Sequence, residues 1–598
     1  MLPFMKYPRA PFFSKFVTLT AAVALCICGS SLAQSAASPP SASINDRAVV
    51  LGILAAEFSL QSGDIAAAAN TYYEVAKRSR DAKVAERAVD LLLRARRIDE
   101  AKEIAALWQQ ADPSSVRPHQ VALALALTSA DEFRAMGAIT TIATLPDDVR
   151  GSAIMDSARQ LALYRDRDLA VKLASVFTQQ LPKLPESHYA LAVASTGNEN
   201  KRVGEALLAI DQALKLRPNW PQAVAVKSRL LLARGPVATG VESSPGAAAV
   251  TLLENAIAAN SATNALAANS TTPVKDGSRE LRLVLARTQF DLEKFAEARK
   301  LFLALAEDGL EDADEMRLAA TLSAFQGKDW EVAEREFTES LAADRGDPAA
   351  VLYYLARISE ARLRWGEAVE RFMQVPRGDR YWESQLRIAG ALAQDKRMTQ
   401  AISHLRVLKP STPLERLSLA QTESTLWRDA GDNVKAFEAL DAALATDADN
   451  PDLLYDSAML AERIDRMQEA EKRLRRVIEL QPTRAHAFNA LGYSFADRNI
   501  NLEEARTLIE KAHGIAPEDP AILDSMGWIA FRQGRLADAE SYLKRALEKF
   551  QDGEIAAHLG EVLWAQGRQE EAKKVWDAQL KVQPESDILK KTVARFAK

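Results

Sequence analysis

Residues 521–547, AILDSMGWIAFRQGRLADAESYLKRAL, contain two amphipathic segments that are joined by a short turn. The first segment carries a Met-Gly step, and the second begins near the small residue Ala539. The neighbouring stretches, AFNALGYSFADRNINLEEARTLIEKAHGIAP and AAHLGEVLWAQGRQEEAKKVWDAQLKVQP, repeat this order of small, apolar and turn residues. Self-similarity at such a period indicates stacked helical hairpins rather than a set of unrelated domains.

A ladder of small residues extends this unit along the chain. Its members in the C-terminal half, 33 to 35 residues apart, are Ala298, Ala333, Ala368, Ala401, Ala436, Ala470, Ala505, Ala539 and Ala572. An aromatic or aliphatic residue follows each of them four positions later, as Leu543 follows Ala539. We expect the Ala to lie where two helices cross, because a larger side chain there overpacks by about 1–3 kcal/mol.

Weaker copies of the unit occur in the N-terminal part. Their ladder residues, 33 to 36 residues apart, are Ala68, Ala101, Ala135, Ala170 and Ala206. A fifteenth unit fits around Ala249. The pattern resembles the tetratricopeptide repeat (TPR), a helix–turn–helix of about 34 residues. The resemblance implies an all-α fold, a right-handed α-solenoid superhelix of about 14–15 TPR-like units.

The first 33 residues have the features of a secretory signal peptide. Three basic residues precede the apolar run FVTLTAAVALCIC (residues 16–28). This run has 13 residues, whereas a membrane-spanning helix needs about 20. Small residues at positions 31 and 33 predict cleavage after Ala33, and therefore a periplasmic mature protein.

Both cysteines, Cys26 and Cys28, lie inside the apolar run, so cleavage after Ala33 leaves a mature chain without a thiol. Such a chain suits an oxidising compartment. Leu25 and Ile27 stand where lipidation needs a small residue. An outer-membrane lipoprotein remains the alternative, and membrane association is expected only if Cys26 or Cys28 is lipidated.

The repeat pattern divides the chain into six segments. They are the signal peptide 1–33, a flexible tether 34–44, an N-terminal TPR-like array 45–235, low-complexity insertions around one degenerate repeat at 236–277, a C-terminal TPR array 278–584 and a capping helix 585–598. The insertions 236–247 and 259–277 are rich in small and polar residues and are predicted to be loops. They are either a tolerated surface feature or a hinge between the two arrays.

Composition and motifs argue against several classes of function. The 598 residues are 48% hydrophobic and 26% charged, and the formal net charge of −5 lacks the basic excess of a nucleic-acid binder. The six histidines do not form a helical zinc motif, and neither a phosphate-binding loop nor a nucleophile elbow occurs. Glu503-Glu504 and Glu570-Glu571 fall at helix starts, where acids complement the helix dipole.

Periplasmic lytic transglycosylases also combine long α-superhelical arms with a separate catalytic domain. Here the repeats continue to residue 584 and leave no room for one. We therefore expect a non-catalytic protein with no cofactor and no metal site.

The resemblance implies that the first helix of each unit lines a concave face that binds peptides or protein segments. The residues predicted at this face, called the groove residues below, are Asp452, Tyr455, Met459, Glu462, Arg463, His486, Asn489, Tyr493, Asp524, Trp528, Phe531, Arg532, Glu561 and Trp564. Aromatic, arginine and carboxylate side chains on one face are typical of a protein-binding site. Tyr and Trp in such repeats also pack against neighbouring helices, so a core position is the alternative for each.

Residues 524–547 and 558–576 are similar to one group of proteobacterial envelope TPR proteins. One type in that group is an outer-membrane lipoprotein that serves as an adaptor for a periplasmic carboxyl-terminal-processing protease and delivers cell-wall hydrolases to it. The resemblance implies a scaffold or adaptor whose partners are envelope proteins, among them such a protease and its substrates. A regulator of a peptidoglycan synthase or of another envelope-assembly machine is the alternative, and the oligomeric state is left open.

Overall fold

The computed structural model describes residues 47–196, 202–234, 244–267 and 277–596. Within these ranges the chain forms 31 α-helices and no strand. The predicted signal peptide and tether, and the last two residues of the predicted capping segment, lie outside the described residues. None of the described helices combines the length and the apolar character needed to cross a bilayer.

The chain divides into two compact units, Met1–Val284 and Leu285–Lys598, and the division falls within the thirteenth helix. The helices up to that point are α1 Arg47–Gln61, α2 Ile65–Ser79, α3 Ala82–Arg94, α4 Ile98–Ala111, α5 Val116–Thr128, α6 Glu132–Ala143, α7 Asp147–Leu163, α8 Arg167–Gln180, α9 Pro185–Ser195, α10 Val203–Leu216, α11 Pro221–Arg234, α12 Pro245–Ala267 and α13 Gly277–Asp291.

The helices that follow are α14 Phe295–Glu307, α15 Ala313–Gln326, α16 Trp330–Ala342, α17 Pro348–Ala361, α18 Trp365–Met373, α19 Tyr381–Gln394, α20 Met398–Val407, α21 Pro413–Asp429, α22 Asn433–Leu444, α23 Pro451–Arg463, α24 Met467–Leu480, α25 Ala485–Asp497, α26 Leu502–Ile515, α27 Pro520–Arg532, α28 Leu536–Lys549, α29 Gly553–Ala565, α30 Gln569–Val582 and α31 Asp587–Phe596. Consecutive helices form pairs from α1–α2 to α11–α12 and from α15–α16 to α29–α30, with an odd-numbered first helix and an even-numbered second helix. The predicted all-α fold of repeated helix pairs is confirmed.

The small-residue ladder lies where the sequence places it. Each ladder residue from Ala68 to Ala206 and from Ala298 to Ala572 is the fourth residue of a second helix and is buried. The apolar residue four positions later is buried as well, as Leu543 is in α28. The two residues lie one helical turn apart, so both face the first helix of the pair.

Small residues of the first helix meet the ladder at the crossing. A Cβ atom added to Gly527 of α27 would lie 2.5 Å from Leu543 Cγ and 3.1 Å from the carbonyl oxygen of Ala539. A Cβ atom on Gly560 of α29 would collide with the indole ring of Trp576. In these pairs the two backbones approach so closely that the first helix has no room for a side chain.

The predicted insertion at 259–277 requires a correction, because α12 continues through Ala267. The helix also begins at Pro245, inside the other predicted insertion at 236–247. Low complexity does not prevent helix formation here, since α12 is rich in Ala, the residue with the highest helix propensity. Residues 235–243 and 268–276 lie outside the described residues, so the hinge remains a prediction.

The terminal helix α31 lies against the last helix pair. The ring of Phe596 lies 5.2 Å from that of Trp564 and 5.5 Å from that of Trp576, measured between centroids. Leu589 is fully buried, and Arg595 forms an ion pair with Glu561. The apolar side of the last pair is thus covered by a helix that is itself amphipathic, as solenoid ends require.

The tight crossing predicts opposite effects for two Gly→Ala substitutions. Gly527→Ala should lower the free energy of unfolding by about 1–3 kcal/mol, because its methyl group overlaps Leu543 and the Ala539 carbonyl. Gly390→Ala in α19 has no heavy atom within 4 Å of the new Cβ and should stabilise the helix by about 1 kcal/mol. Hydrogen exchange of the amides in α27–α28 and in α19–α20 measures both effects locally. The crossing argument would be contradicted if each substitution changed the protection of its own helix pair, relative to the wild type, by the same amount and in the same direction.

Candidate functional site

A row of polar side chains joins successive first helices in the second unit. Trp382 Nε1 of α19 donates to Ser418 Oγ of α21 at 2.9 Å. Gln421 Nε2 of α21 donates to Asp456 Oδ2 of α23 at 2.8 Å. His558 Nδ1 of α29 lies 2.9 Å from Asp524 Oδ1 of α27. These contacts, called the polar row below, join α19 to α21, α21 to α23 and α27 to α29.

The repeat sets the register of the polar row. Gln421, Asp456, Asp524 and His558 each stand 14 or 15 residues before the ladder Ala of their own unit. In α25 the equivalent positions are taken by Ala490 and Leu491, which cannot donate or accept through their side chains.

Tyr493 bridges the interruption in α25. Its hydroxyl donates to Glu554 Oε1 of α29 at 2.5 Å, passing the intervening first helix α27. Burial, and then the charge of Glu554, raises the pKa of the Tyr493 hydroxyl far above its usual range. The phenol therefore remains a neutral hydrogen-bond donor at physiological pH.

Asp524 and His558 form a buried pair beneath an aromatic stack. The two residues are each 6% exposed, and the His558 ring stacks on Trp528 with centroids 3.9 Å apart. Burial by itself lowers the pKa of His558, but the adjoining Asp524 carboxylate, together with the charges of Glu554 and Glu561, raises that pKa above its usual value. The pair ties α27 to α29.

The structure corrects the expectation of an open groove position for two groove residues, Asp524 and Trp528. Trp528 is only 4% exposed, between His558, Phe531 and Arg532. The Asp524 carboxylate pairs with the His558 imidazole of α29, and the Trp528 ring stacks on that imidazole. Both side chains of α27 therefore point towards the neighbouring first helix. As buried residues, Asp524 and Trp528 support the site and do not themselves form its exposed surface.

Two further groove residues contact the terminal helix. Glu561 pairs with Arg595 of α31, and the Trp564 ring lies 5.2 Å from Phe596. The capping helix therefore takes up contact surface that the sequence assigned to a partner. Both side chains remain partly exposed beside it.

The groove residues of α23 and α25 keep more of their surface. Tyr455, Met459, Glu462, Asn489 and Tyr493 are half-buried, and Arg463 and His486 are exposed. Asp452 accepts a hydrogen bond from Arg484 at 2.8 Å, and this guanidinium lies 4.7 Å from the centre of the Tyr455 ring. Together with half-buried Phe531 and Arg532 of α27, these residues leave a band of aromatic and charged surface along α23, α25 and α27.

Two residues of the site, Glu554 and His558, were not predicted from the sequence. His558 stands 34 residues after Asp524, one repeat later at the same position of the first helix. His558 could have been predicted as a partner of Asp524 from this 34-residue spacing, since equivalent positions of adjacent repeats face each other. Among the described residues, no three His, Cys, Asp or Glu side chains converge as a metal-binding group would require.

The stacked helix pairs define a helical-repeat protein of the α-solenoid class. Models of the tetratricopeptide repeat match three segments, residues 283–348, 428–492 and 525–575. These three segments are therefore similar to tetratricopeptide repeats, and they include α23–α24, most of α25, much of α27 and the whole of α29. Repeats of this kind generally mediate protein–protein interaction, and their scaffold is typically non-catalytic.

A TPR repeat-containing protein of Pseudomonas aeruginosa, PA4667, is 41% identical to this chain over 212 residues. The alignment spans 36% of this chain and 36% of that protein's length. Among solved structures, yeast Tom70 is 14% identical with a TM-score of 0.34, covering 75% of this chain and 96% of that one. The thermophilic TPR protein TTC0263 of Thermus thermophilus is 19% identical with a TM-score of 0.28, covering 30% and 98%.

The buried pair predicts a pH-dependent stability. The pKa of His558 is raised in the folded chain, so the pair stabilises fully below the unfolded value of about 6.5 and loses this contribution as pH rises through the folded pKa. His558→Gln should therefore lower the free energy of unfolding most near pH 5.5 and progressively less towards pH 9.

Urea unfolding of the wild-type protein and the variant, followed by tryptophan fluorescence, measures this difference across that pH range. His486→Gln serves as the control, because the His486 side chain is 58% exposed and its removal should change stability little at any pH. A difference for His558→Gln that stayed constant or grew with rising pH would contradict the assignment.

Proposed function

We propose that the protein is a non-catalytic scaffold that binds protein segments on the first-helix face of α23, α25 and α27. The observation that carries this proposal is the band formed by Tyr455, Asn489, Tyr493, Phe531 and Arg532. Half-buried aromatic and arginine side chains, surrounded by partly exposed charges, have the composition of binding hot spots. The bonds from Tyr493 to Glu554 and from Arg532 to Asp497 hold two of these side chains in place, which reduces the entropy lost on binding.

Local detail supports recognition by hydrogen bonds as well as by apolar contact. Asn489 Oδ1 is buried and has no hydrogen-bond partner among the described residues. Arg532 donates to the backbone oxygen of Asp497 at 2.7 Å and lies 4.7 Å from the centre of the Trp528 ring, so its fork is fixed in direction. An extended segment that lies along this face can exchange backbone hydrogen bonds with such groups.

The proposed compartment is the bacterial periplasm, reached by a signal peptide that is cleaved after Ala33. The basic start, the 13-residue apolar run and the small residues before the cleavage position support this proposal. Metabolic labelling with a radioactive fatty acid separates it from the lipoprotein alternative. Label on the wild-type protein that is lost in a Cys26→Ala, Cys28→Ala variant would overturn the unlipidated form.

Within the periplasm we propose that the scaffold acts as an adaptor between a carboxyl-terminal-processing protease and its cell-wall hydrolase substrates. The proposal is supported by the similarity of residues 524–547 and 558–576 to envelope adaptors of this kind. An adaptor needs one surface for each partner, and a repeat array offers extended surface without a catalytic domain.

The binding face can be tested with a matched pair of double variants. Arg463→Ala with His486→Ala removes two exposed groove residues from α23 and α25. Lys472→Ala with Lys511→Ala removes two exposed cations from the second helices α24 and α26. We expect the first variant to bind the purified protease or hydrolase at least tenfold more weakly, a loss of about 1.4 kcal/mol, and the second to bind as the wild type does.

Adaptor activity is measured as the rate at which the protease cleaves the hydrolase with and without the protein. A rate that does not change on addition of the protein would overturn the adaptor function. Stimulation of a purified peptidoglycan synthase in place of the protease would favour the alternative regulator. Equal binding by both double variants would show that Arg463 and His486 do not contribute to partner binding, and the scaffold would then have to bind its partner through another face.

A further inference from the structure

A recess in the first unit lies at the starts of three successive first helices, α7, α9 and α11. It has a volume of about 470 Å³, and its lining includes Asp147, Asp148, Gly151, Glu186, Arg217 and Trp220. The recess belongs to the unit that ends at Val284, whereas the groove residues all lie in the unit that begins at Leu285. It is therefore a site separate from the proposed binding face.

Glu186 is the buried acid of this recess. The residue is only 7% exposed, and its Oε1 lies 2.6 Å from Arg217 Nη2. The second oxygen, Oε2, is also buried and has no hydrogen-bond partner among the described residues. A buried carboxylate oxygen without a donor is destabilising, so the carboxylate is arranged to receive a further donor.

The charges around Glu186 favour a cationic donor. Asp147, Asp148 and Glu186 contribute three carboxylates to the lining, and Arg217 contributes one guanidinium. Arg150 pairs with Asp147 at 2.5 Å from outside this recess. With both cations counted, the side chains of this group keep one negative charge.

Arg217 shows how the recess holds such a group. Its guanidinium pairs with Glu186 and lies 4.6 Å from the centre of the Trp220 ring. A carboxylate on one side and an indole on the other is the combination that stabilises guanidinium and ammonium groups. Met155 and Leu184 complete the lining with apolar surface that suits an aliphatic stem.

Gly151 keeps the recess open above the carboxylate. A Cβ atom at this position of α7 would lie 3.4 Å from Glu186 Cδ and from Glu186 Oε1, which is ordinary contact. A longer side chain would extend from there over the acid and fill the space. The recess therefore depends on a helical position that has no side chain.

We propose that this recess binds the ammonium or guanidinium group of a lysine or arginine side chain in a protein segment. Helical-repeat arrays bind extended segments on their first helices, and the lining offers both the charge and the apolar walls that such a side chain needs. This inference goes beyond the proposed function, because it adds a second site with its own chemical specificity.

Isothermal titration of the purified full-length protein tests the proposal with three probes. They are acetyl-Gly-Arg-Gly-amide, the same peptide with citrulline in place of arginine, and spermidine. We expect the arginine peptide to bind at least tenfold more tightly than the citrulline peptide, which has the same shape without the charge. Equal affinity for the two peptides would overturn the proposal, and tighter binding of spermidine than of the arginine peptide would overturn the assignment to a protein side chain.

Two variants locate the binding in the recess. Gly151→Met fills the space over Glu186 without removing a charge and should weaken the arginine peptide at least tenfold. Gly137→Met in α6 is the matched control, since a Cβ there meets no heavy atom within 4 Å, and it should bind as the wild type does. Wild-type affinity in Gly151→Met would overturn the site.

Glu186→Gln keeps the size of the side chain and removes its charge. It should weaken the arginine peptide at least tenfold and bring its affinity to that of the citrulline peptide. Circular dichroism shows whether the variant is folded, and Gly151→Met keeps the proposal testable if it is not, because the Glu186–Arg217 pair remains intact there.

Discussion

The close crossing of a first and a second helix is the contact on which each repeat depends. At the crossing, a ladder Ala such as Ala539 meets a residue that is equally small, such as Gly527. Only small residues allow the backbones to approach this far, and the apolar residue one turn later then fills the remaining groove. Because the same contact recurs about every 34 residues, each helix pair repeats the geometry of the pair before it.

The polar row follows from that geometry. Once the crossing fixes how each first helix is rotated, equivalent positions of neighbouring first helices face each other, and polar side chains there pair across the gap. Gln421 with Asp456 and Asp524 with His558 are two such pairs. Where Ala490 interrupts the row, Tyr493 reaches over α27 to Glu554. Within the candidate binding band, the Tyr493 bond to Glu554 and the Arg532 bond to the Asp497 backbone fix two side chains before a partner arrives.

The repeat fold could be predicted from the sequence almost residue by residue, while the site could be predicted only by position. Spacing placed each ladder residue in the core, because burial at a crossing excludes all but small side chains. The same spacing placed Asp524 and Trp528 on the first helix without showing their depth. Their burial depends on His558, one repeat away, and on the ring stacking between them. The composition of the two insertions led to a wrong prediction of loops at the ends of α12. An Ala-rich stretch of low complexity can still form a helix.

By itself, the sequence determined the period, the pairing of helices and which residues occupy the crossings, because these depend on side-chain size at a fixed spacing along one chain. Only the tertiary structure decided which first-helix residues remain available to a partner. It also joined Asp147, Glu186 and Trp220 into one recess, although they stand up to 73 positions apart in the sequence. Exposure and recess shape arise from neighbouring repeats packed side by side, and such contacts leave no local pattern in the chain.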